Sequence, residues 1–170
     1  TRSSSSAASD VYKRQCKEHG ADEVLLYPSG KMDRDQQKKL SDDIKELTNG
    51  QGADVVYDPV GGDYAEPALR ATAWEGRYLV VGFAAGDIPK IPLNLALLKG
   101  CQIVGVFWGA FKGREVEAHN ANVDELLKLY GDGHLKPHIS SIYSLEEGSK
   151  AISDLAERKA RGKVIVQVRA

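Results

Sequence analysis

Two short apolar runs, separated by a polar segment that contains prolines, constrain the fold of this chain more than any other feature. The runs lie within residues 77–86, RYLVVGFAAG, and residues 101–111, CQIVGVFWGAF. Each is rich in Val, Ile or aromatic residues and is about as long as one buried strand. The segment between them holds Pro89, Pro92 and a short helical stretch at residues 93–98, enough for the return path that parallel strands require. We therefore predict two neighbouring parallel strands joined by a crossover.

A strand, turn, helix and strand precede these runs in the sequence. Residues 55–57 are apolar, and the turn DPVGG at residues 58–62 breaks them sharply. Asp63 and Glu66 have capping-box spacing for a helix that ends before a strand at residues 78–81. Such a βαβ unit forms a right-handed crossover in a parallel sheet, so the fold class is predicted to be α/β.

Further elements are predicted on both sides of this unit. In the first part of the chain they are a helix ending at Gly20, a strand at residues 23–27, and a helix opened by Asp33 and Gln36 with an apolar stripe of Leu40, Ile44 and Leu47. After residue 111 they are a polar helix at residues 122–130, a strand at residues 139–143, a helix capped by Ser144 and Glu147, and a closing strand at residues 163–168.

Composition excludes several classes of function. The chain has 170 residues, 42% of them hydrophobic, so it can bury a core of ordinary globular size. A net charge of -1 leaves no basic surplus with which to bind nucleic acid or an anionic membrane. No apolar run approaches the ~18 residues of a membrane span. Cys16 and Cys101 stand far apart and outside any C-x-x-C pattern, which argues against a zinc lobe or a disulfide and favours a reducing cytoplasm.

Candidate binding residues lie where the predicted strands end, because ligands of open α/β sheets bind beyond the carboxyl ends of the strands. Three such ends carry small or special residues: residues 58–62, 82–86 and 107–109. Glycine lets a ligand approach the backbone closely, and the aromatic pair Phe107 and Trp108 offers a flat surface to a ring. Their occurrence at one edge of one sheet favours a planar heteroaromatic ligand.

Familiar catalytic patterns are absent from the sequence. It contains neither G-x-G-x-x-G nor a P-loop, the two glycine loops that hold phosphates at a helix N-terminus. No Ser, His and Asp stand in a recognisable nucleophile arrangement, so we assign no catalytic residue and no metal ligand. His119, His134 and His138 are predicted to be surface residues. Asp58, which precedes Pro59, is predicted to shape the turn rather than to act as a general base.

The first fifteen residues differ in character from the rest. Residues 1–15 are Ser-rich and lack the basic and apolar regions of a signal peptide. Residues 5–15, SSAASDVYKRQ, resemble the in-frame translation of a sequencing adapter. We expect residues 1–15 to be a non-native or disordered tail, with the natural N-terminal part of the protein lost.

Residues 16–168 resemble the C-terminal half of a zinc-independent, NADPH-dependent quinone oxidoreductase of the medium-chain dehydrogenase/reductase superfamily. The motifs that carry the resemblance, in the family's order and spacing, are GADEVLLY (20–27), DVVYDPVGG (54–62), GRYLVVGFAAGDIPKIPLNLALLKG (76–100), CQIVGVFWGAF (101–111) and RGKVIVQV (161–168). The resemblance implies an incomplete Rossmann-type, doubly wound parallel sheet that lacks its first two strands, with a C-terminal helix and strand belonging to the catalytic domain. Residues 16–130 would be the partial dinucleotide-binding domain and residues 131–170 the return segment of the catalytic domain.

The same resemblance implies a site for NADPH. Tyr27 would lie near the adenosine, and Lys163 would approach the cofactor from the last strand. The nicotinamide end would be lined by Val81, Gly82, Phe83, Ala84, Val106, Phe107 and Trp108. Residues 102–108 would also form an edge strand that pairs with its twin in a homodimer.

The activity implied by the resemblance is hydride transfer from NADPH to a quinone or a similar electron-poor acceptor. Because the phosphate-binding strands are missing, we expect this chain alone to be inactive, and its unpaired strand edges to make it poorly stable. Two alternatives remain open: a fragment of an enoyl-thioester reductase, and a non-enzymatic module that dimerises through its edge strand. A methyltransferase-type Rossmann domain is disfavoured, since it too needs a glycine loop after its first strand.

Overall fold

The computed structural model describes residues 13–28, 30–157, 159–160 and 162–169, and the chain divides into two compact units between Phe107 and Trp108. Of the predicted tail, residues 1–12 lie outside the described residues, whereas residues 13–15 are helical. The adapter-like stretch therefore lies mostly outside the described residues.

The first unit contains helices and three parallel strands. In chain order its elements are α1 (described at residues 13–18), α2 (Arg34–Leu47), β1 (Ala53–Asp58), a 3-10 turn (Gly62–Tyr64), α3 (Ala65–Arg70), β2 (Thr72–Val80), α4 (Asn94–Lys99) and β3 (Gln102–Gly105). The strands are ordered β1-β2-β3, and Val56, Tyr78 and Ile103 stand side by side across the sheet. The predicted parallel neighbours and their crossover are thus confirmed.

The helix boundaries follow local chemistry. At the start of α2, the Gln36 amide donates to the Asp33 carboxylate (2.8 Å) and the Gln36 side chain accepts from the Asp33 amide (3.0 Å), which confirms the predicted capping box. The predicted end of α1 is also confirmed, since Gly20 takes a φ of +95° just beyond it. Of the predicted stripe on α2, Leu40 is buried but Leu47 is exposed.

The core of the first unit lies on one face of the sheet. Its buried members are Ala65 and Leu69 of α3, Tyr78 of β2 and Leu95 of α4. Val56 packs against this cluster, so its neighbours Val55 and Tyr57 point to the opposite face. These two are 46% and 66% exposed. The helices therefore cover one side of the three-stranded sheet and leave apolar side chains on the other.

The predicted strand at residues 23–27 is wrong, since residues 23–28 have no regular secondary structure. In the described part of the chain this segment pairs with no strand, and a strand without a partner gains no ladder hydrogen bonds. Instead, the Tyr27 ring packs 5.1 Å from the Tyr64 ring. The Tyr64 hydroxyl donates to the carbonyls of Pro28 and Gly30 at 3.0 and 3.1 Å. Side-chain contacts thus replace the predicted pairing.

The predicted capping box at Asp63 and Glu66 is also wrong. The Asp63 carboxylate accepts the Met32 amide (2.9 Å), and α3 begins at Ala65 without a side-chain cap. The helix is shorter than predicted, and β2 already starts at Thr72. Within β2, Glu75 takes a φ of +58°, and the register with β1 shifts in this region. The strand is therefore bent, which the sequence pattern did not reveal.

The second unit contains α5 (Trp108–Arg114), α6 (Val116–Gly131), β4 (Ile139–Ser144), α7 (Gly148–Ala156) and β5 (Lys163–Gln167). Strands β4 and β5 are parallel, with α7 between them in sequence, so this is a second βαβ unit. Both strands and the last helix are confirmed predictions. The Ser144 amide reaches the Glu147 carboxylate at 3.4 Å, but α7 begins without a side-chain cap.

A tyrosine joins strand and helix in the second unit. The Tyr143 hydroxyl of β4 donates to the Asp154 carboxylate of α7 at 2.5 Å. This hydrogen bond, followed by the Lys159 ammonium, holds the pKa of Asp154 below its ordinary value. Across the described part of the chain, no helix has the length and apolar content to span a membrane.

Candidate functional site

The turn after β1 is organised by the side chain of Asp58. One of its carboxylate oxygens accepts the amides of Val60 (2.8 Å) and Gly61 (2.9 Å). An Asp that bonds backbone amides two and three residues ahead forms a local turn of the kind that the Asp-Pro sequence predicts. The prediction that Asp58 shapes this turn is confirmed.

The second carboxylate oxygen of Asp58 accepts the hydroxyl of Tyr78. Tyr78 lies in the middle strand and is 3% exposed. Burial, followed by the hydrogen bond to Asp58 and the charge of that carboxylate, raises the pKa of Tyr78 above its ordinary value. The phenol therefore serves as a hydrogen-bond donor to Asp58.

The turn after β2 is bonded to the turn after β1. The Asp58 carbonyl accepts the amides of Val81 (3.0 Å) and Gly82 (3.3 Å), and the Pro59 carbonyl accepts the amide of Ala84 (3.1 Å). These backbone bonds extend the β1–β2 pairing beyond the strand ends. Residues 81–84 are consequently held at a fixed place beside the β1 turn.

Two glycines allow the turns to come this close. Gly61 has a φ of +67°, and a Cβ there would lie 2.8 Å from the Phe83 ring. Gly62 has a φ of +58°, and its Cβ would lie 2.9 Å from the Cβ of Ala85. Both positions thus need glycine for backbone conformation and for space. Phe83 rests on Gly61 and is still 40% exposed, so it offers part of its ring to the surface.

The end of β3 lies at the same edge. The Val106 amide donates to the Val80 carbonyl at 2.9 Å, and the next side chain, Phe107, is 78% exposed. The structure therefore brings together six of the predicted cofactor residues at the carboxyl ends of three adjacent strands: Val81, Gly82, Phe83, Ala84, Val106 and Phe107. Tyr27, half-exposed against Tyr64, belongs to the same unit.

The remaining two predicted residues, Trp108 and Lys163, belong to the second unit. Trp108 opens α5, so the predicted edge strand at residues 102–108 is wrong in extent and ends at Gly105. Its ring stacks on Phe111 at 5.1 Å and meets the edge of His119 at 5.5 Å. Lys163 opens β5, and its amide donates to the His138 carbonyl at 2.8 Å.

Of the three histidines predicted to be surface residues, only His119 differs from the prediction. His134 and His138 are exposed, as predicted. His119 is partly buried between aromatic rings, and its buried Nδ1 finds no hydrogen-bond partner among the residues that the structure describes. The packing of His119 against the Trp108 ring accounts for this burial. The hydrophobic periodicity of a polar helix gives no sign of such a contact.

Two clefts of the first unit are lined by residues other than those of the strand-end edge. A cleft of about 620 Å³ lies between α2 and α3, and one of about 370 Å³ extends from Gly62 to Asp87; neither includes residues 81–84, 106 or 107. Within the described residues, no three His, Cys, Asp or Glu side chains are grouped to hold a metal ion. The edge can therefore position a flat, apolar group against fixed backbone.

Sequence reasoning missed Tyr78 as part of this site. The available signal was a tyrosine inside an apolar strand, whose hydroxyl needs a partner once buried. Identifying that partner as Asp58 requires the register, which places Val56 beside Tyr78 and Asp58 beside Val80.

Known proteins of similar sequence and fold identify the family. Residues 19–166 match the zinc-binding dehydrogenase family. The quinone oxidoreductase-like protein 2 homolog of Nematostella vectensis is 38% identical over 133 residues, which are 78% of this chain and 36% of that protein. The related protein of Bos taurus is 33% identical over 163 residues, covering 96% of this chain and 44% of that protein. This chain spans less than half the length of these curated relatives.

A solved structure agrees with the sequence relatives. The mycobacterial protein Rv1454c, solved in complex with NADPH, superimposes with a TM-score of 0.77 at 25% identity, over 92% of this chain and 47% of that one. The three parallel strands described above match a partial Rossmann-type domain, as the sequence predicts. The chain belongs to the zinc-binding dehydrogenase family, within the medium-chain dehydrogenase/reductase superfamily.

Proposed function

We propose that this chain is part of an oxidoreductase that transfers hydride from NADPH to a quinone or a similar electron-poor acceptor, without zinc, and that it supplies the nicotinamide-facing wall. The observation that carries the proposal is the edge formed by residues 81–84, 106 and 107. There, hydrogen bonds between successive turns fix the backbone while Phe83 and Phe107 remain exposed. Curated relatives named as quinone oxidoreductase-like proteins support the reaction class.

NADPH, when bound, supplies the hydride that the acceptor receives. The residues of this chain would contribute orientation and exclusion of water. Fixed turns at the strand ends place backbone against one side of a flat ring, and apolar side chains such as Phe83 and Phe107 keep water from it. The chain fits only this part of the cofactor, since its sequence has no glycine loop for the pyrophosphate.

NADPH rather than NADH is proposed because a structural neighbour was solved with NADPH. Tyr27 and Lys163 remain part of the proposed site, near the adenosine and the last strand. We also propose that the functional domains are residues 16–130 and 131–170, although the compact units divide earlier, at Phe107. The cytoplasm is the proposed location, since Cys16 and Cys101 are free.

The edge of the sheet supports a proposed homodimer. Strand β3 is the last strand of the order β1-β2-β3, so its outer backbone groups have no partner strand among the described residues of the first unit. Such an edge can pair with the same strand of a second copy. A module that dimerises here and binds no cofactor is the second candidate function.

An NMR titration of the isotopically labelled 170-residue chain with NADPH tests the proposal. We expect chemical-shift changes at the amides of residues 81–84 and 106, in the absence of quinone reduction by the chain alone. The helix α2, on which no proposed cofactor contact lies, is the internal control. A chain that is dimeric by light scattering but shows no shifts up to millimolar NADPH would favour the non-enzymatic module.

The acceptor requires a separate assay. Quinone reduction and enoyl-thioester reduction would both use the nicotinamide-facing wall. They are therefore distinguished only by the rates at which the full-length protein reduces the two acceptors. Quinone reduction by the 170-residue chain at a rate typical of enzymes would contradict the expected inactivity.

A further inference from the structure

We propose that Tyr78 is a positioning residue for residues 81–84 of the nicotinamide-facing wall, and that it acts through Asp58. That these residues face a cofactor rests on the function proposed above; that Tyr78 holds them in place rests on the hydrogen bonds alone. Tyr78 itself is buried among Ala65, Leu69 and Leu95 and does not reach the surface that a ligand would touch.

Hydrogen bonds from both turns converge on Asp58. Its first carboxylate oxygen and its carbonyl together accept four backbone amides, those of Val60, Gly61, Val81 and Gly82. The Tyr78 hydroxyl donates to the second carboxylate oxygen. Asp58 thus bonds amides of both the turn after β1 and the turn after β2, beside the bonds that the Pro59 and Val60 carbonyls make to Ala84 and Ala85. The Tyr78 hydroxyl fixes the rotation of the Asp58 side chain.

The charge of Asp58 makes this donor important. Among the described residues, Asp58 takes part in no ion pair, so its partly buried carboxylate is stabilised only by hydrogen-bond donors. Hydrogen bonds to charged groups are stronger than neutral ones, and an oxygen that loses its donor inside a protein must find another or turn toward water. If the carboxylate turns, its other oxygen leaves the amides of Val60 and Gly61.

The chain contains a matched control for this bond. In the second unit, the Tyr143 hydroxyl donates to the Asp154 carboxylate at 2.5 Å, again from a strand residue to an aspartate elsewhere in the fold. Like Tyr78→Phe, Tyr143→Phe removes a phenol hydroxyl and the hydrogen bond that it donates to an aspartate carboxylate. It does so in the second unit, whereas the strand-end turns belong to the first.

Amide hydrogen exchange of the full 170-residue chain, measured by NMR without cofactor, tests the proposal. For Tyr78→Phe, which keeps the ring, we expect exchange at the amides of Val60, Gly61 and Gly82 to quicken about tenfold. Exchange inside α3 should change far less. For Tyr143→Phe, these amides should exchange at the wild-type rate.

A purely structural role for Tyr78 gives a different result. Unchanged exchange at the three amides, or an equal increase at every amide of the first unit, would overturn the proposal. Should Tyr78→Phe not fold, Asp58→Asn replaces it, since this change retains shape and removes the charge at a partly exposed position. Faster exchange confined to the turns then supports the proposal, and unchanged exchange overturns it.

Adding NADPH to the same samples separates this proposal from the function. If the amide resonances of residues 81–84 shift when NADPH is added to the wild type, we expect the dissociation constant for NADPH to be several-fold larger in Tyr78→Phe. It should be unchanged in Tyr143→Phe. If the wild type does not respond to NADPH while its turn amides depend on Tyr78, the proposed function fails and the positioning role of Tyr78 stands.

Discussion

Gly61 offers the sharpest test of how the candidate site is built, through the substitution Gly61→Ala. Gly61 has a φ of +67° and a ψ of -143°, a region that side chains with a Cβ rarely enter. Forcing a non-glycine residue into such a region costs about 1–3 kcal/mol. The new Cβ would lie 2.8 Å from Cδ1 of Phe83, so the ring must move by about 0.6 Å to reach an ordinary contact of 3.4 Å. Because Phe83 is 40% exposed, it can move at little further cost.

We therefore expect Gly61→Ala to lower the free energy of unfolding of the first unit by about 2 kcal/mol, almost all of it from the backbone. Urea unfolding followed by circular dichroism measures the loss, and the aromatic proton resonances of Phe83 report the ring displacement. Gly86→Ala is the control: Gly86 has a φ of +95° in the loop that carries Phe83, but no described atom lies within 4 Å of its Cβ position. It should lose stability through backbone strain and leave the Phe83 resonances in place. Equal Phe83 spectra for Gly61→Ala and the wild type would refute the close approach of the two turns.

Two further predictions concern pH and association. The pKa of Asp154 is held below its ordinary value, first by the Tyr143 hydroxyl and then by Lys159. The ionised Asp154 therefore stabilises the fold at a pH above its unfolded pKa. This stabilisation is lost as the pH falls through the folded pKa of Asp154. The urea midpoint of the wild type should therefore exceed that of Asp154→Asn near pH 6 and converge with it near about pH 2; a difference that persists in acid would contradict this. Tyr57 lies on the uncovered sheet face, and Tyr57→Lys should reduce association of the chain, measured by light scattering of concentrated samples. Tyr130 is a similarly exposed tyrosine on α6, and Tyr130→Lys should leave the association unchanged. Equal effects of the two substitutions would show that added charge alone explains the change.

Local chemistry explains what the sequence predicted well. The Asp33 capping box and the Asp58 turn depend on residues that are neighbours in the chain, so their spacing is visible without a structure. The apolar runs around Tyr78 and Ile103 were long enough for strands and too far apart for a hairpin, which leaves a parallel pairing.

Tertiary partners explain what the sequence predicted poorly. Asp63 has the spacing of a helix cap, but its carboxylate bonds the Met32 amide, which lies thirty-one residues away in sequence. Residues 23–27 have a strand's composition but no neighbouring strand among the described residues. At the candidate site, the glycines and aromatic residues could be predicted as a group, while the role of Tyr78 depends on a strand register that no local pattern specifies.

The one-sided core of the first unit has a thermodynamic consequence. The change in heat capacity on unfolding grows with the apolar area that becomes exposed, and the dependence of stability on denaturant grows with the total area. Val55 and Tyr57 are already 46% and 66% exposed when the unit is folded. Unfolding therefore exposes less new apolar surface than the same strands would expose if both faces were covered. The unit should therefore have a shallow stability curve, changing little with temperature and melting over a broad range.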